Sequence, residues 1–158
     1  MIGKKLIDAY RSTVPAPEVS AHCDGPCGVY DPASARIAAE AVVSMTKKLK
    51  ALTAPAAGDH AGWLAFHNTT TRYILIKEEQ AHIAKKEILV LWTDYFKPEH
   101  LQKFPDLHDK VWKATKLCST CKHEVNLDAA EKLLAAIKEI HEIFWATKNR
   151  DVAWYVAS

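Results

Sequence analysis

Between Asp31 and Lys148 the apolar residues recur every three or four positions, and no stretch alternates apolar with polar as a half-buried strand would. Asp31-Pro32 reads as a helix cap followed by proline in the first turn, and the stripe Ala38, Val42, Met45, Leu49, Leu52 carries a helix over about 32–53. Pro55, Gly58 and Gly62 mark a connection. A long second helix is expected over about 64–94, with Ile76, Ile83 and Val90 recurring every seven residues. Pro98 ends it in a corner. Pro105-Asp106 opens a third helix with Leu107, Val111, Ala114 and Cys118 on one side. Residues 119–125 connect to a fourth, capped by Asn126 and striped by Leu133, Ile137, Ile140 and Phe144. Four amphipathic helices joined by short connections specify an all-α chain folded as an antiparallel four-helix bundle.

The composition narrows the function classes. The 158 residues are 49% apolar and 25% charged, so one domain can bury its own core. A net charge of +2 is too small for a nucleic-acid footprint, and no apolar run approaches the roughly 18 residues of a membrane span. With five glycines in all, a glycine-rich phosphate loop is missing. Residues 1–21 lack the apolar middle of a secretory signal, because Asp8, Arg11, Pro15, Pro17 and Glu18 interrupt them. A reducing, cytoplasmic setting is therefore expected, in which the four cysteines serve metal binding or catalysis rather than a disulfide scaffold.

Two of those cysteines stand in the loop His22-Cys23-Asp24-Gly25-Pro26-Cys27-Gly28-Val29-Tyr30. On spacing alone, Cys23-x-x-x-Cys27 fits a chelate or a pair of core thiols equally. Pro26 stiffens the loop and Gly25 and Gly28 permit tight backbone geometry, as a segment holding two sulfurs at fixed separation requires.

This loop resembles the nickel hook of nickel-dependent superoxide dismutases, His-Cys-x-x-Pro-Cys-Gly-x-Tyr, with every fixed position met. The resemblance continues through Asp31-Pro32-Ala33 and Ala35-Arg36-Ile37. It returns at Leu91-Trp92-Thr93-Asp94-Tyr95-Phe96-Lys97-Pro98 and at Ile143-Phe144-Trp145-Ala146-Thr147-Lys148. It implies that residues 1–21 are a leader removed by a maturation protease, so that His22 becomes the first residue of a bundle spanning 22–158 with its hook at 22–30. It implies one nickel ion per subunit, held by the His22 amine and imidazole, the Cys23 amide nitrogen and the Cys23 and Cys27 thiolates. Planar nitrogen and sulfur donors suit nickel better than tetrahedral zinc. The implied activity is disproportionation of superoxide to dioxygen and hydrogen peroxide by Ni(III)/Ni(II) cycling, in a homohexamer without nucleic-acid or membrane partners. Tyr30 and Tyr95 would flank the open side of the metal, Asp24 would hold the hook against the body, and Lys97 would favour the anionic substrate. Without the resemblance, the tyrosines read as packing residues and Lys97 as a solvated charge.

Two positions depart from the family pattern. A glutamate and an arginine that hold the hook histidine in well-known members correspond to Ala38 and Gln80, with Glu79 or His82 as candidate substitutes. Cys118-x-x-Cys121-x-His123 admits core thiols, a disulfide or half a zinc site. The core reading leads because Cys118 falls on an apolar stripe. His60, His67, His100, His108 and His141 form no metal-binding spacing, and the apolar tail Val152 to Ser158 suits a subunit interface. The competing class is a non-catalytic nickel or copper carrier built on the same hook, which needs neither tyrosine at an open site nor removal of the leader.

Overall fold

The computed structural model describes residues 28–157. The helices are α1 (Ala33–Lys50), α2 (His60–Val90), α3 (Pro98–Lys103), α4 (Leu107–His123) and α5 (Leu127–Thr147). α1 packs on α2, α2 on α4, α4 on α5 and α5 on α1, which closes a ring of four long helices. Adjacent helices run antiparallel: Lys77 meets the end of α4 at Cys121, while Lys85, two turns later on α2, meets Ser119. The bundle expected from periodicity is present, with short α3 added where Pro98 opens a turn of helix instead of only ending one. No helix among the described residues is long and apolar enough to cross a membrane.

The helix starts follow from local chemistry. Asp31 Oδ1 accepts from Ala33 N at 2.8 Å and Asn126 Oδ1 from Ala129 N at 3.0 Å, so both expected caps form. α2 begins at His60, four residues before its expected start, because Asp59 Oδ1 accepts from Gly62 N at 2.9 Å. Gly62 leaves room for this cap, since a Cβ on it would lie 2.1 Å from Asp59 Oδ2 and the carboxylate would have to move. α4 continues to His123, past the expected connection at 119.

The core face of α2 differs from the expected stripe. Its buried residues are Lys77, Ala81, Ala84 and Ile88, followed by Leu91 just beyond its end, whereas Ile76, Ile83 and Val90 sit one position away and only half-buried. Size explains the offset. The buried side of α1 is rich in alanine as well (Ala35, Ala38, Ala39), and small side chains let helix backbones approach closely. Hydrophobicity of individual residues marks the flanks of the seam and passes over its centre.

Lys77 is the least expected member of that core. It is almost wholly buried, and its Nζ donates to the carbonyls of Cys121, Lys122 and Glu124. It thereby satisfies the C-terminal carbonyls of α4, which have no partner within the helix. Desolvation holds its pKa below the ordinary lysine value.

Residues 149–157 run along the chain's own α1 and α5, with Val152 and Trp154 half-buried and Tyr155 and Val156 left exposed. His141 Nε2 donates to Val152 O at 2.9 Å, the Arg36 guanidinium lies 4.2 Å from the centre of the Tyr155 ring, and Ala157 N donates to Glu40 Oε2 at 2.7 Å. Arg36 and Glu40 form a buried ion pair at 2.5 Å beneath this tail.

Candidate metal centre

The end of the bundle where α1 begins and α2 and α5 finish carries the expected site. α2 leaves its helix through a π-helical turn, Leu91–Tyr95, closed by Phe96 N donating to Leu91 O at 2.9 Å. One extra residue in a turn rotates the side chains beyond it, and such turns recur at functional sites. Phe96 and Lys97 are then extended, as the residue before a proline must be, and Pro98 starts α3. This short sequence sets Tyr95, Lys97 and His100 around one cleft of about 380 Å³, lined also by Gly28, Tyr30, Asp94 and Glu99.

Tyr95 is fixed on every side. Its ring lies 5.5 Å from that of Tyr30, 4.5 Å from that of Phe144, and stacks on His100 at 5.5 Å and 18°. Lys148 Nζ stands 5.2 Å from the ring centre, a cation over an aromatic face. Its hydroxyl lies 2.6 Å from Thr147 Oγ1. Thr147 spends its only proton on Phe144 O, also at 2.6 Å, so Tyr95 is the donor and Thr147 the acceptor. The Tyr95 oxygen is left with lone pairs alone.

His100 is held in turn. Its Nδ1 accepts from Lys97 N at 3.1 Å, which places the ring proton on Nε2 and pins the face stacked on Tyr95. Lys97 is exposed at the rim. Asp94 and Glu99 line the same cleft, so its field is mixed and the attraction expected of Lys97 is partly offset.

Of the sequence-predicted site residues, the structure brings together Tyr30, Tyr95 and Lys97. His22, Cys23, Asp24 and Cys27, together with the leader, lie outside the described residues. The described part fits the hook from the other side. Gly28, directly after Cys27, is in the wall of the cleft with φ +64°, a conformation that favours glycine even though a Cβ would meet nothing within 4 Å. Among the described residues no three His, Cys, Asp or Glu side chains converge as a metal site. Thiolate and amine donors from residues 22–27 would therefore meet no competing cluster.

The Cys118–Cys121–His123 alternative resolves to core thiols. Both cysteines are free and buried, and burial pushes their pKa values up to about 12 for Cys118 and about 11 for Cys121. His123 points away from them into the groove between α2 and α4, where His82 also lies. Sequence reasoning passed over Thr147, His100 and Lys148. Thr147 and Lys148 fall within a family-like segment, but only contact with Tyr95 gives them a role.

Comparisons with known proteins agree with this geometry. The sequence model of the nickel-containing superoxide dismutase family matches residues 17–148, a span that includes His22 to Cys27. The chain is 42% identical to the nickel superoxide dismutase of Streptomyces coelicolor and 44% identical to that of Streptomyces seoulensis. Each match runs over 139 residues, covering 88% of this chain and 97% of the relative. Among solved structures, a native nickel superoxide dismutase superposes with a TM-score of 0.70 at 41% identity, and one with the nickel ligation of the oxidised state with 0.68 at 43%. Both comparisons cover 82% of this chain and all of the other.

Proposed function

The chain belongs to the nickel-containing superoxide dismutase family and disproportionates superoxide with nickel as its cofactor; from that premise we propose how its own residues serve the reaction. The hook donors are the His22 amine and imidazole, the Cys23 amide nitrogen and the Cys23 and Cys27 thiolates, with one nickel per subunit. The free amine exists only after cleavage between Ala21 and His22, so the uncleaved chain is the inactive precursor. When bound, nickel supplies the one-electron couple through which two superoxide ions and two protons become dioxygen and hydrogen peroxide.

The observation that carries this reading is the Tyr30–Tyr95 pair standing over the cleft that Gly28 enters directly after Cys27. A carrier has no use for two tyrosines at the mouth of a small open site. The rings restrict entry to small species. Tyr95 gives its proton to Thr147 and accepts from whatever is protonated in the cleft, which is the state of a water molecule or of the product peroxide. It does not hold the anionic substrate by donation. Lys97 at the rim, with Lys148 beneath the Tyr95 ring, supplies the local positive potential. Asp24 anchors the hook to the body, and the protein works as a cytoplasmic homohexamer.

Nickel-edge X-ray absorption tests the donor set. Nickel-loaded, cleaved protein is expected to show sulfur ligation from two thiolates. Cys23→Ser and Cys27→Ser should each remove part of that sulfur signal and all turnover, while Cys118→Ser leaves both unchanged. Full sulfur ligation in Cys27→Ser would contradict the assignment.

A further inference from the structure

The groove between α2 and α4 is built for a different ligand. It encloses about 460 Å³ and is lined by His82, Lys85, Lys86, Leu89, Val90, Thr93, Ser119, Lys122 and His123, with no carboxylate in its wall. Among the described residues Lys85, Lys86 and Lys122 make no ion pair. Lys110, Lys113, Lys132 and Lys138, on the outer faces of α4 and α5, are each paired with Asp or Glu. Three lysines without a carboxylate partner are thus gathered in one concave place, where low-dielectric walls focus their charge.

Three further features define what the groove accepts. Ser119 Oγ donates to Thr115 O at 3.3 Å and Thr93 Oγ1 to Leu89 O at 2.9 Å, so neither hydroxyl has a proton to offer. The remaining donors are ammonium and imidazole groups, and Lys85 Nζ is held in place by Ser119 Oγ at 3.1 Å. Lys77, on the core side of α2, already satisfies the carbonyls at the C-terminus of α4. The negative end of that helix, which would otherwise repel an anion, is therefore quenched. No Phe, Tyr or Trp ring lines the groove, so it offers no large aromatic face to a nucleobase.

We propose that this groove is a binding site for a compact, soluble, multiply charged phosphate of the pyrophosphate or oligophosphate type, gripped by Lys85, Lys86 and Lys122 from two helices with His82 and His123 at its edges. Charge-assisted hydrogen bonds from several cations suit clustered phosphate oxygens, and a single monoanion would not span them. The proposal is independent of the nickel reading.

Calorimetric titration of the nickel-loaded protein with pyrophosphate at constant ionic strength tests it. Saturable binding of one pyrophosphate per chain is expected. It should weaken by about tenfold or more in Lys85→Gln/Lys122→Gln and stay unchanged in the control Lys113→Gln/Lys132→Gln. The exposed His123→Gln change, which leaves the core untouched, should weaken it to a smaller degree. Absence of saturation, equal loss in the control, or binding only to phosphatidic acid displayed on vesicles and not to free pyrophosphate would overturn the proposal.

Discussion

Tyr95 donates to Thr147, and not the reverse, because Thr147 has given its only proton to Phe144 O; both contacts are 2.6 Å. A residue at the end of α5 thus fixes the rotor and the hydrogen-bonding character of a tyrosine at the end of α2. Replacing Thr147 by Val keeps the shape and deletes the acceptor. A net hydrogen bond of about 1 kcal/mol corresponds to roughly a fivefold effect. Superoxide decay followed after pulse radiolysis should show kcat/KM reduced by about that factor in Thr147→Val, at unchanged nickel content, with Thr147→Ser close to the parent. Equal rates in all three would show that the Tyr95 proton has no bearing on turnover.

Burial of Cys118 and Cys121 raises both thiol pKa values from the ordinary 9.0, to about 12 and about 11. Alkylation requires the thiolate. Iodoacetamide at pH 8 should therefore leave both unlabelled in the native protein and label both after unfolding, as read by peptide mass spectrometry. The linked stability has a definite sign. Because the folded pKa values lie above the unfolded ones, the contribution is complete below about pH 9 and is lost as the pH rises from 9 towards 12. Native-state labelling at pH 8 would contradict the buried placement.

The start of α2 depends on Asp59 and Gly62 together. Gly62→Ala puts a Cβ where the Asp59 carboxylate sits, so the cap must leave, at a cost of about 1 kcal/mol and a few degrees in Tm. Asp59→Ala should cost about the same, and the double variant little more than either single one, since both remove one interaction. Thermal unfolding checks this; additive losses would contradict a shared cause.

Lys97 shares its cleft with Asp94 and Glu99. Lys97→Gln should therefore lower kcat/KM only modestly, by about two- to fivefold, with the deficit shrinking as salt is added. A loss of several orders of magnitude, or one insensitive to salt, would assign Lys97 a chemical role instead of an electrostatic one.

The bundle was legible in the sequence because three- and four-residue periodicity and the caps at Asp31 and Asn126 are local signals. The π-helical turn at Leu91–Tyr95 was not, since nothing in those five residues distinguishes it from ordinary helix. The core of α2 was misplaced by one position because Lys77 reads as a surface residue until the three carbonyls it serves, 44 to 47 residues away, are seen. The hook was legible as a motif, and the tyrosines came with the family resemblance. Thr147, His100 and Lys148 act on the site only through Tyr95, and partnership across the end of a bundle leaves no mark on spacing.

The central claim is that nickel is held through a freed His22 amine and the two hook thiolates. Native mass spectrometry of protein from nickel-supplied cells that carry the processing protease tests it most directly. The account predicts a chain beginning at His22 with one nickel per chain, in a hexamer, and an Ala21 variant blocked in cleavage that carries neither nickel nor activity. An uncleaved chain that holds nickel and turns over superoxide at the full rate would contradict it.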